Sequence, residues 1–170
     1  MKRITLVCFG KLRTAGFDDS VSEFEKRLGR YTDFEVKELK GLPVPEKDGK
    51  LRDQVPHEEG AIILDLLQSP AFRSRSGRAP ELWCLDETGK AMKTTEWASA
   101  LGDLADRGSG ELILLIGGSL GLGENVLSRA QRRVSFGPQT LSHELARLVL
   151  MEQLYRALSY RSGHPYHNEG

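Results

Sequence analysis

Apolar and polar positions follow two periods along the chain. Ile4-Thr5-Leu6-Val7-Cys8-Phe9 is a compact apolar run closed by Gly10, which predicts a buried strand. From Phe17 to Tyr31 the apolar residues Val21, Phe24 and Leu28 recur three and four apart, as on one face of a helix, with Asp18 offering an N-cap. Phe34 to Leu39 alternates and predicts a second strand. Gly41-Leu42-Pro43-Val44-Pro45 and Pro56 bracket a stretch that cannot hold regular structure for long, so the next helix is expected only from about His57 to Gln68. Glu81 to Asp86 predicts the third strand, and Thr94 or Thr95 caps a helix carrying Trp97, Leu101 and Leu104. Glu111 to Ile116 is apolar after its first residue, as in a strand covered on both faces. A helix from about Glu124 to Arg132, a short strand Val134-Ser135-Phe136 and a long helix capped by Ser142 and reaching about Tyr160 complete the pattern.

Strands alternating with helices imply an α/β fold, a mostly parallel sheet with helices on both faces. Ligands of such sheets bind beyond the carboxyl ends of the strands, which singles out the loops after Asp86, Ile116 and Phe136. The last helix is apolar around most of its circumference, at Leu145, Leu148, Val149, Leu150, Met151, Leu154 and Leu158. It is expected to be buried on several sides, in a core or against a second subunit.

Composition narrows the picture. A length of 170 residues predicts one domain spanning 1–170. Met1-Lys2-Arg3 leads straight into the first strand, and no stretch has the length of a membrane span, so a cytoplasmic protein without membrane attachment is expected. The 24 basic and 24 acidic residues cancel, which argues against a binder relying on a strong global field. From Arg129 onward, however, six arginines face three acids, leaving room for a local RNA-facing patch. Residues 69–80, with three arginines and no acid, read as an exposed loop. Cys8 and Cys84 lie in apolar runs and read as buried free thiols.

Three segments carry candidate chemistry. In Leu115-Ile116-Gly117-Gly118-Ser119-Leu120-Gly121-Leu122, glycines directly after a buried strand allow a ligand to approach the backbone, or simply make a tight turn. The dinucleotide fingerprint fails because Val126 stands where its third glycine belongs, and Thr88-Gly89-Lys90-Ala91 is no phosphate loop. Phe136-Gly137-Pro138-Gln139-Thr140-Leu141-Ser142-His143 offers backbone donors and acceptors suited to an adenine edge, or a plain capped connection. His164-Pro165-Tyr166-His167 suits stacking on RNA bases, or a loose terminus. With proline between the histidines and no supporting cysteine or carboxylate pair, no metal is expected there.

Taken in order, these segments resemble the large-subunit ribosomal RNA methyltransferase H family of the SPOUT class. The resemblance rests on Gly10-Lys11, Leu85-Asp86 with Gly89-Lys90, Leu115 to Gly118 with Gly121-Leu122, and Thr140-Leu141-Ser142-His143. Glu152-Gln153-Leu154-Tyr155-Arg156-Ala157 and His164-Pro165-Tyr166-His167 extend it over nearly the whole chain. It implies a C-terminal trefoil knot, a rare exception to unknotted topology, and a homodimer. It also implies methylation of N3 of a pseudouridine in 23S ribosomal RNA on assembled ribosomes, with S-adenosylmethionine as donor. Carried over by position, Leu85, Gly118 and the loop Gly137, Pro138, Gln139, Thr140, Leu141 and Ser142 would bind the cofactor. The catalytic set would be His143, Arg156, Tyr166 and His167. His143 or His167 is expected to take the N3 proton, since histidine titrates near neutrality. Arg156 would stabilise developing charge or hold a phosphate, or pair with Glu152 four residues before it, and Tyr166 would position the base. Ser142 stands where the family usually has proline.

Overall fold

The computed structural model describes residues 1–45, 49–72 and 77–163. Strands β1 (Arg3–Phe9), β2 (Asp33–Leu39), β3 (Glu81–Ala91), β4 (Glu111–Ile116) and β5 (Arg132–Ser135) form one sheet, ordered β2-β1-β4-β3-β5, with every neighbouring pair parallel. The helices are α1 (Phe17–Leu28), α2 (Gly49–Gln68), α3 (Thr94–Asp106), α4 (Glu124–Leu127) and α5 (His143–Arg161), with a single 3-10 turn at Pro70–Phe72.

Side chains alternate across a strand, so the apolar runs of β1 and β4 feed two cores at once. Ile4, Leu6 and Cys8 join Leu112, Leu114 and Ile116 beneath α1, α3 and α5. Val7 and Phe9 join Ile113 and Leu115 on the other face, beneath Ile63 of α2 and Val126 of α4. Helices thus cover both faces, as the pattern implies. Helix α5 lies between α1 and α3, with Leu150, Met151 and Leu154 fully buried. Burial of each such side chain is worth about 1.5–3 kcal/mol. Leu145 stays exposed, and Leu148 and Val149 are half-buried.

Several elements depart from the pattern reading. Helix α2 begins at Gly49 and contains Pro56. The carbonyl deprived of its partner belongs to Arg52, an exposed residue, so water replaces the missing bond at small cost. Strand β3 runs on to Ala91 through a bulge between Leu85 and Lys90, both of which pair with Val134. Helix α4 stops at Leu127 because the Gln131 amide donates to the Leu82 carbonyl (2.8 Å) and draws the chain into the sheet, so β5 starts at Arg132 and ends at Ser135, before Phe136. The helix caps shift too. Gly16, at φ +83°, precedes α1 and Asp18 falls in its first turn. Lys93 caps α3, its amide donating to the Glu96 carboxylate (2.8 Å). Cys8 and Cys84 are buried free thiols, as expected. Among the described residues no helix is long and apolar enough to cross a membrane.

Candidate functional site

The carboxyl ends of β3, β4 and β5 open into a pocket of about 400 Å³. Its walls are the segments 85–87, 116–122 and 135–141, with His143 and Ala146 of α5 closing one side. This is where a parallel sheet is expected to present a ligand site.

Each wall has a local cause. After β4 the chain turns back at once: the Gly121 amide donates to the Gly118 carbonyl (3.1 Å), and Gly121 takes φ +80°, a conformation that favours glycine. After β5, Ser135 Oγ accepts from the Gly137 amide (2.9 Å) and reaches the Glu87 carbonyl at 3.4 Å, fastening this loop to the β3 bulge. Gly137, at φ +108°, makes that turn possible. In the bulge, Asp86 Oδ1 accepts from the Thr88 amide (2.9 Å). Ser142 then caps α5, its Oγ accepting from the Leu145 amide (3.3 Å).

His143 begins α5 and lies over β1's carboxyl end. A Cβ built on Gly10 would come 3.0 Å from His143 Nε2, so the bare glycine leaves the imidazole its place. The neighbouring Glu144 holds the loop that follows, its Oε2 accepting from the amides of Arg13 (2.8 Å) and Thr14 (2.9 Å). The Thr14 and Arg13 amides hold this carboxyl below the usual carboxylate range.

Of the residues singled out by sequence, Leu85, Gly118, Gly137, Gln139, Thr140, Leu141 and His143 line the pocket together. Pro138 and Ser142 lie on the same segment without lining it; Pro138 is exposed and Ser142 is the cap. Arg156 is not brought to the pocket. It follows His143 by thirteen residues on one straight helix, roughly 20 Å at 1.5 Å per residue. Its guanidinium pairs with Glu152 at 3.0 Å from Nε, the local pairing foreseen as the alternative. Tyr166 and His167 lie outside the described residues. Among the described residues no cluster of three or more His, Cys, Asp or Glu is arranged to hold a metal.

Two contributors, Glu87 and Glu59, escaped the sequence reading, and Asp86 was quoted there without a role. Asp86 and Glu87 are the acidic residues of the lining, and with His143 its ionisable groups. Glu59, on α2, stands behind the glycine loop with its side chain buried. One acid of a Glu58-Glu59 pair in a polar helix carries no sequence signal of burial.

A pocket of this kind, at the carboxyl ends of a five-stranded parallel sheet, is a small-molecule site of an α/β protein, and the family match supplies its class. The family described as "Predicted SPOUT methyltransferase" matches residues 1–167, and the chain belongs to it. The cofactor of this family is S-adenosylmethionine. In particular, the chain is similar to proteins named ribosomal RNA large subunit methyltransferase H. That of Limosilactobacillus reuteri (strain DSM 20016) is 38% identical over 165 residues, 96% of this chain and 98% of the relative. That of Clostridium novyi (strain NT) is 35% identical over 166 residues, again 96% and 98%. Among solved structures, a probable methyltransferase from Bordetella pertussis Tohama I superposes with a TM-score of 0.52 at 16% identity, over 92% of this chain and 96% of that one, a likeness of fold.

Proposed function

We propose that this pocket binds S-adenosylmethionine and that the protein methylates N3 of a pseudouridine in 23S ribosomal RNA, on assembled ribosomes in the cytoplasm. The observation that carries the reading is the convergence of the three loops on one cavity. Its volume lies within the range typical of small-molecule sites, about 300–1,000 Å³. Its lining suits the cofactor's adenine and its sulfonium. Leu85, Ile116, Leu122, Phe136 and Leu141 offer apolar surface for an adenine ring, and the backbone of 137–141 offers donors and acceptors for its edge. Asp86 and Glu87 supply negative charge, which favours a cationic sulfonium.

The bound cofactor supplies an activated methyl group, so the protein's task is alignment more than acid catalysis. As the N3–C bond forms and the S–C bond breaks, the imide proton leaves N3. His143, at the pocket wall, is the described group placed to take it; His167 is the second candidate. Arg156 and Tyr166 complete the site. With about 20 Å of helix between Arg156 and His143, the guanidinium serves from a second copy, as the partner subunit's Arg156. The exposed Leu145 and half-buried Leu148 and Val149 on α5 support a homodimer. The C-terminal trefoil knot is part of the same proposal, with the chain's membership of the SPOUT methyltransferase family as its support.

Labelled S-adenosylmethionine incubated with ribosomes, separated subunits and tRNA tests the proposal, with mass spectrometry of the nucleosides. N3-methylpseudouridine on intact ribosomes is the expected product. Methyl transfer to tRNA alone would refute the substrate while keeping the class. Light scattering is expected to show a dimer; an active monomer would remove the partner subunit's Arg156 from the account.

A further inference from the structure

Resting on the reading of the pocket as the cofactor site, we infer that Glu59 is a positioning residue: its buried carboxylate, reaching from α2 to the backbone at Gly118, holds the glycine loop in the shape that binds S-adenosylmethionine.

Glu59 is only 4% exposed, on a helix that otherwise presents acids to solvent. Its Oε1 accepts the Leu42 amide at 3.0 Å. The fit at Gly118 is close: a Cβ there would fall 2.6 Å from Oε2 and 3.0 Å from Oε1, so only glycine lets the carboxylate reach this backbone. A Cβ on Gly41 would lie 3.5 Å from Oε1, so the same side chain spans the connection after β2 and the loop after β4. Gly41 and Gly118 stand 77 residues apart in the sequence, and the Glu59 side chain lies against both.

The arrangement costs stability. Burial pushes the Glu59 carboxyl upward despite the Leu42 and Gly118 amides, so its charge is held at a desolvation cost. A residue kept for stability alone would be better served by a neutral isostere. The charge makes sense if its use is to accept the Leu42 amide with one oxygen while the other lies against Gly118, fixing a loop whose far side faces the ligand. Glutamine offers one acceptor oxygen and an amide group in place of the second.

Glu59→Gln separates the two roles. Positioning predicts an apparent melting temperature at pH 8 equal to or above wild type, together with at least tenfold weaker S-adenosylhomocysteine binding by calorimetry, about 1.4 kcal/mol. Hydrogen exchange at 117–121 should accelerate while the central strands stay protected. A variant that binds S-adenosylhomocysteine within twofold of wild type, or loses affinity only in step with global stability, would overturn the inference. If the variant failed to fold, wild-type exchange alone would decide: the ligand-free Gly118 and Leu42 amides must be protected beyond neighbouring loop amides, and free exchange of both would overturn it. Failure of the wild type itself to bind S-adenosylhomocysteine would instead sink the reading of the pocket.

Discussion

Gly117→Ala is the sharpest single perturbation of the site. Gly117 is buried at the end of β4, and a Cβ there would lie 2.4 Å from the Gly121 carbonyl carbon, 2.5 Å from its oxygen and 2.8 Å from the Leu122 nitrogen. All three are backbone atoms, so no side chain can swing away. The nearest contact is about 1 Å inside the ~3.5 Å separation of ordinary carbon contacts, so the 118–122 turn must move by about that much. Overpacking of this kind costs roughly 1–3 kcal/mol of stability. Misplacement of about 1 Å in a positioning wall costs on the order of a hundredfold in function. We therefore expect a folded protein whose dissociation constant for S-adenosylhomocysteine, measured by calorimetry, rises about a hundredfold, ~2.7 kcal/mol. Gly49→Ala is the control: among the described residues nothing lies within 4 Å of its Cβ, and Ala at the start of α2 should bind as wild type and be equally or slightly more stable. A folded Gly117→Ala protein binding within threefold of the control would refute the reasoning, because the 117–122 turn would then not be a wall of the cofactor site.

Three further outcomes are expected. Arg156→Ala should destabilise the protein by no more than about 0.5 kcal/mol, the worth of a partly exposed i,i+4 pair, yet slow methyl transfer at saturating cofactor by about a hundredfold; unchanged single-turnover rates would reduce Arg156 to its pairing with Glu152. The depressed Glu144 carboxyl makes the β1 loop acid-sensitive. Its folded pKa lies below the ordinary 4.5, so its contribution is present above 4.5 and is lost as pH falls through the folded value. The Arg13 and Thr14 amides should accordingly lose protection in that window, and Glu144→Gln should remove the transition; protection persisting unchanged to strong acid would contradict it. Burial raises the thiols of Cys8 to about 11 and of Cys84 to about 12, so neither should react with a disulfide reagent at pH 8 until denaturant is added. Rapid modification of the native protein would show that the core opens.

The centre of the sheet was legible because β1 and β4 are apolar on both faces and bury alternate residues in two cores, while β2 was legible from its alternation. Helix boundaries were less so. Pro56 reads as a breaker, but in α2 its missing donor affects only the carbonyl of an exposed residue. The end of α4 is set by one bond, from Gln131 to Leu82, between partners that only the folded sheet brings together. At the site, the glycine loop and the segment leading to His143 were readable because turn residues mark them. Asp86 and Glu87 were drawn in by the β3 bulge, a matter of register that the run of residues does not reveal. Glu59 escaped altogether, since burial of a carboxylate follows from Gly118 and Leu42 arriving beside it. The separation of Arg156 from His143, by contrast, could have been read from helix rise alone.

Whether the loops after β3, β4 and β5 form the cofactor site is decided by a crystal structure with S-adenosylhomocysteine bound. The ligand is expected between 116–122 and 135–141, its adenine against Leu85 and Leu141 and its sulfur open toward His143. A ligand bound anywhere else on the chain, with this pocket left empty, would contradict that assignment.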